Sequence, residues 1–139
     1  MGMKSVALKT IVNDCNKALR IAEIEDWPGA VNGLQVENNG QVRQIAAAVD
    51  GTLATARKAV EQGADLLIVH HGLFWNKTHP WTGRRYELIK FLIEHNLAFT
   101  APIFPWISIP PSETMPDYAR NWGSPGASHS SLIKAGNWG

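Results

Sequence analysis

One cysteine, Cys15, is all the thiol chemistry that the 139 residues hold. It cannot close an internal disulfide, and a reducing compartment is the natural reading. An excess of either charge is missing too, with 13 Lys and Arg against 12 Asp and Glu and a net charge of +1. That balance offers no electrostatic case for nucleic acid or an anionic membrane. No apolar run approaches the roughly 18 residues of a membrane-spanning helix. Nor does the N-terminus show the basic start, apolar stretch and small-residue cleavage site of a signal peptide, so a soluble, cytoplasmic protein is expected. Gly-rich phosphate loops and a Ser set between glycines are also absent, which leaves P-loop, dinucleotide-binding and serine-hydrolase chemistry without support.

What is present suffices for one core. Hydrophobic residues make up 45% and charged residues 18%, which argues against wholesale disorder, a collagen repeat or a coiled coil. The length is close to the roughly 150 residues of a typical domain. Composition is uneven, however: residues 101–139 hold six of the eight prolines, six of the seven serines and three of the six tryptophans (Trp106, Trp122 and Trp138).

The first hundred residues alternate helix and strand patterns. From Ser5 a helical stripe runs through Leu8, Ile11, Val12, Cys15, Leu19 and Ile21, with Lys9, Asp14 and Lys17 off it. Cys15 is expected to pack there as a small apolar residue. A turn-rich stretch, Asp26-Trp27-Pro28-Gly29, leads into Asn32-Gly33-Leu34-Gln35-Val36. A short apolar strand, Ile45 to Val49, ends at Asp50-Gly51, and Thr52 can cap the helix that follows. That helix turns Leu53, Ala56, Ala59 and Val60 inward and closes at Gly63. Leu66 to Val69 reads as a strand buried on both faces. A helix over roughly 84–95 and a third strand from Leu97 complete the series. Strand, helix, strand, helix, strand at such short spacing predicts parallel βαβ units in an α/β sheet. After Ala98 the pattern fails, because Pro102, Pro105, Pro110 and Pro111 remove ladder donors. The chain therefore divides into an α/β lobe over 1–98 and an irregular tail over 99–139.

The sharpest chemical signal is His70-His71-Gly72 at the end of the most buried strand. Ligands collect at the carboxyl ends of strands in open α/β sheets. Successive strand residues point to opposite faces, so one metal takes both imidazoles only if the chain bends at once, a bend that Gly72 permits. Two adjacent metals, one per imidazole, is the other solution; hydrogen bonding in a loop is the plain alternative. A divalent metal normally needs three or four protein groups, and two do not make a site. Asp50 could approach the same edge, though a turn with Gly51 is its commoner use. His79, in a loop, and His95, at a helix end, read as ordinary surface imidazoles, and Arg84-Arg85 as a solvated helix start.

Together, Asn32-Gly33-Leu34-Gln35-Val36, Ala48-Val49-Asp50, Gly63-Ala64-Asp65 and the run from Leu67 through His70-His71-Gly72-Leu73-Phe74-Trp75 resemble the NGG-one-interacting-factor-three-like family of dinuclear metal-centre proteins. Members are often labelled GTP cyclohydrolase type two. The resemblance covers about residues 1–98. It implies the first half of a two-lobed fold, ring-shaped homohexamers and two divalent ions (zinc, manganese, iron or nickel). Their ligands would be the two histidines of the pair, an Asp downstream, and a His and a Glu near the C-terminus. Residue by residue, only His70 and His71 carry over.

Beyond the third strand the family pattern runs like Ala-His-Leu-Pro-Leu-Asp-x-His-Pro and then Gly-Asn-Asn-Ala, where this sequence has Ala101-Pro102-Ile103-Phe104-Pro105-Trp106 and later Met115-Pro116. Reading codons one base out of phase restores the pattern. Trp106 has only the codon TGG and Ile107 begins AT, which forces GAT, Asp; Met115 before Pro116 forces GCC, Ala. Permitted third bases elsewhere complete Tyr-Ser-Ala-His-Leu-Pro-Leu-Asp-Ile-His-Pro-Thr-Leu-Gly-Asn-Asn-Ala. A one-base deletion near Ala98, compensated near Asp117, accounts for the segment. The expectation is thus a divalent-metal-binding, hydrolase-type scaffold acting on an unidentified small molecule, with the metals weakly held or lost in this chain. Its alternatives are a non-catalytic metal-binding or regulatory interaction protein, and an inactive truncated fragment.

Overall fold

The computed structural model describes residues 4–23, 28–74 and 79–102 together with the backbone of 133–134. In chain order these form β1 (Val6–Ala7), α1 (Leu8–Ala18), a 3-10 turn (Ile21–Glu23), β2 (Gly33–Val36), β3 (Gln41–Val42) and β4 (Ile45–Asp50). Then come α2 (Leu53–Glu61), β5 (Leu66–His71), α3 (Gly83–Glu94), β6 (Ala98–Ala101) and β7 (Ile133–Lys134).

Local chemistry sets the helix ends. Thr52 caps α2: its Oγ1 accepts from Thr55 N at 3.1 Å, and Thr55 Oγ1 accepts in return from Thr52 N at 2.9 Å. The reciprocal pair closes a capping box at the start of the helix. The helix stops at Gly63, which takes φ of 77° and sends its N–H to the Val60 carbonyl at 2.9 Å. After α3 the same left-handed position falls to Asn96, φ 53°, one of the few residues besides Gly that adopts it readily. At the N-terminus the helix begins at Leu8 and not at Ser5. Val6 and Ala7 pair instead with Val42 and Gln41 in a two-stranded ribbon, a partnership set by residues far along the chain.

Five strands form one sheet in the order β2-β6-β5-β4-β7. The three central strands are parallel, with Ile45 level with Leu66 and Leu66 level with Ala98. Antiparallel β2 and β7 flank them, so the sheet is mixed around a βαβαβ centre. Alternation along β5 divides the core. Leu67 and Val69 pack with Ala56 and Ala59 of α2, Leu88 and Leu92 of α3, and Phe99. On the opposite face Leu66 and Ile68 meet Leu8, Ile11, Val12 and Cys15 of α1. Each such aliphatic side chain contributes about 1.5–3 kcal/mol when fully buried, and a strand covered on both faces is continuously apolar for that reason.

The third strand crosses the sequence boundary after residue 98. All four residues of β6 are buried, with Ala98 on the α1 face and Phe99 and Ala101 on the α2/α3 face. Alternation therefore persists through Ala101, and Pro102 follows just outside the strand. The remaining expectations for the 99–139 tail fall almost entirely outside the described residues.

Candidate metal centre

β4 and β5 are six-residue strands that begin level, so they also end level: Asp50 stands opposite His71 at the carboxyl edge of the sheet. Strand alternation would send His70 and His71 to opposite faces. Their ring centroids instead lie 4.5 Å apart, tilted by 48°. Both imidazoles thus gather at one corner.

Gly72 follows at once, and its lack of a side chain is required. A Cβ there would come within 2.5 Å of Gln35 Nε2 and 2.6 Å of Ala101 Cβ. Gln35 fills that space for a reason: its Oε1 accepts from Leu73 N at 2.7 Å and its Nε2 donates to the Val31 carbonyl at 2.8 Å. A side chain of β2 therefore holds the backbone just past the histidine pair. Spacing gave no hint of this use of Gln35. The only signal was its place in the Gly-Leu-Gln-Val run.

Asp50 does more than the turn expected of it. Its Oδ1 lies 2.6 Å from His71 Nδ1. The turn is carried by its carbonyl, which accepts from Thr52 N at 3.2 Å and from Thr55 Oγ1 at 2.9 Å. The other candidates stand apart in role. His79 is exposed. His95 ends α3, bonded through Nδ1 to the Phe91 carbonyl at 2.9 Å and stacked on that ring at 3.9 Å. Arg84 and Arg85 lie in the first turn of α3. Trp75 and the Pro-rich segment that stands where the family has its downstream Asp lie outside the described residues.

Burial lowers the His70 pKa from the ordinary 6.5, the adjacent His71 lowers it further, and Asp50 partly offsets both. The imidazole is thus biased toward the neutral form that ligates metals. Between its folded value and 6.5 the unfolded chain binds more protons than the folded one, so this contribution to stability is present above about 6.5. It is lost as pH falls through the folded value. An NMR titration is expected to place the His70 midpoint below 6.5; a midpoint above it would contradict this electrostatic picture.

Two imidazoles suit zinc and its first-row neighbours in donor chemistry, but the donor count falls short. Asp50, His70 and His71 are neighbours whose donor atoms do not converge. Among the described residues no set of three or more His, Cys, Asp or Glu is arranged to hold a metal ion.

A layered α/β protein with paired histidines clamped at the carboxyl edge of its central strands is the class that this fold and corner define. More particularly, the chain belongs to the Duf34/NIF3 (NGG1p interacting factor 3) family, whose pattern matches residues 6–102. A relative from Deinococcus radiodurans, named GTP cyclohydrolase 1 type 2 homolog, is 38% identical over 104 residues, covering 75% of this chain and 39% of the relative. One of the same name from Halobacterium salinarum is 44% identical over 91 residues, covering 65% and 35%. The chain thus spans well under half the length of these curated relatives. A crystal structure from Thermus thermophilus matches with a TM-score of 0.66 at 38% identity, covering 70% of this chain and 40% of that one. A Bacillus cereus protein related to NIF3 shares the fold, with a TM-score of 0.63 at 21% identity over 72% of this chain and 28% of that one. Among the described residues no helix is long and apolar enough to cross a membrane.

Proposed function

We propose that this chain carries part of a divalent-metal centre of hydrolase type, with His70 and His71 as its ligands. The observation that supports this reading is the pairing of the two rings at one corner, 4.5 Å apart, with Gln35 and Asp50 fixing the chain on either side. Family membership and the name GTP cyclohydrolase 1 type 2 homolog on relatives favour the same chemistry. A pair of bound divalent ions (zinc, manganese, iron or nickel) supplies Lewis acidity and an acidified water. His70 and His71 would serve as ligands and not as acid or base. A cytoplasmic homohexamer acting on a small molecule belongs to the same reading.

Two donors without a third among the described residues favour weak binding by the chain as it stands. Isothermal titration with Zn²⁺ is expected to show weak binding that disappears in the His70→Ala, His71→Ala double variant. Equal binding by parent and double variant would remove these residues from the ligand set. Stoichiometric metal in the purified chain, found by elemental analysis, would contradict the weakness.

A further inference from the structure

We propose that Asp50 is the positioning residue for His71, holding its ring as the Nδ1–H tautomer so that Nε2 is the nitrogen left for a ligand. The 2.6 Å contact between His71 Nδ1 and Asp50 Oδ1 carries the assignment. A carboxylate accepts and does not donate, so the nitrogen facing it must bear the proton. The other ring nitrogen of a neutral imidazole is then the free lone pair. His71 has room to offer it, since its side chain is 53% exposed at the sheet edge.

The surrounding frame explains why Asp50 stays in place. Its carbonyl is held by Thr52 N and Thr55 Oγ1 at the start of α2. Gly51 N donates to the His71 carbonyl at 3.2 Å, so a main-chain bond from the next residue and the Asp50 side chain both tie the end of β4 to His71. Behind them the Phe99 ring occupies the space that a Cβ on Gly51 would need. A carboxylate so anchored orients a ligand in the manner of carboxylate–histidine pairs around metals. Asp50 acts through His71 and is not counted as a third donor beside the two imidazoles.

The tautomer stands by itself, whereas the consequence for affinity rests on the metal reading proposed above. Long-range ¹H–¹⁵N correlation spectra of the labelled full-length chain, at a pH above the histidine range, read the tautomer directly. His71 is expected to show a protonated Nδ1 and an unprotonated Nε2. Asp50→Ala should move it toward the Nε2–H form that free imidazole favours. Asp50→Asn, whose carbonyl still accepts, should retain the parent form and serves if the alanine variant does not fold. In Zn²⁺ titrations Asp50→Ala should bind about 10–100-fold more weakly than the parent, with Asp50→Asn restoring part of the loss. A protonated Nε2 in the parent chain would overturn the proposal whatever the metal does. The expected tautomer with no Zn²⁺ binding in any variant would support the orienting role and overturn the metal reading.

Discussion

Phe99→Ala is expected to destabilise the chain by about 3–5 kcal/mol, the range for removing a buried aromatic ring from a core. Phe99 is fully buried between the sheet and the α2/α3 layer, level with Leu67 on the neighbouring strand. Its ring also forms the floor beneath Gly51. Truncation would therefore open a void under the very corner where Asp50 meets His71. Small domains hold only about 5–15 kcal/mol in total, so the loss would take a large share of the stability. Urea denaturation with a shared slope measures it. The reverse error should also be costly. Gly51→Ala would push a methyl into the Phe99 ring, an overpacking cost of about 1–3 kcal/mol. Combining Gly51→Ala with Phe99→Leu should recover part of that cost, because contacting residues couple. A Phe99→Ala loss below about 1 kcal/mol would show that residues 98–101 do not lie in the sheet as described.

Much of this architecture is legible in the sequence because it depends on short-range pattern. The run Leu66 to Val69 announces a strand covered on both faces, and Thr52 and Gly63 mark the ends of α2. What escapes depends on partners distant in sequence. Val6 and Ala7 continue a helical stripe, yet pairing with Gln41 and Val42 takes them out of the helix. β2 carries no clear alternation, since its antiparallel partner β6 decides its place. The third strand runs on through Ala101, because Phe99 and Ala101 are alternate residues of a buried strand, a pattern that the neighbouring prolines obscure. At the site, the histidine pair is visible as composition, but the role of Asp50 is not. The clue lies in length: two successive parallel strands of equal span, ending in Asp50 and His71, must finish side by side.

Shifting the frame of the segment over residues 99–116 by one base is expected to tighten Zn²⁺ binding by roughly a hundredfold or more. The ligand count sets that scale. A complete four-ligand zinc site is worth about 10–16 kcal/mol, so one added donor brings about 3 kcal/mol on an even share, or about 10²-fold in affinity. The shifted reading restores an Asp in the pattern Ala-His-Leu-Pro-Leu-Asp, forced by the single codon of Trp106. Geometry favours its arrival at the same corner. β5 and β6 run parallel with Ile68 level with Thr100, so β6 ends at the carboxyl edge where β5 carries the histidine pair. The restored segment would therefore leave the sheet beside the histidine pair. Comparing the chain as written with its frame-shifted version by isothermal titration tests the segment as a whole, whose shifted reading adds two His besides the Asp, and the His70→Ala, His71→Ala pair should abolish the gain. An unchanged affinity would mean that the segment supplies no ligand. Whether a base is missing has a simpler check in the source DNA. Uninterrupted in-frame codons for Pro102, Ile103 and Trp106 there would rule a missing base out.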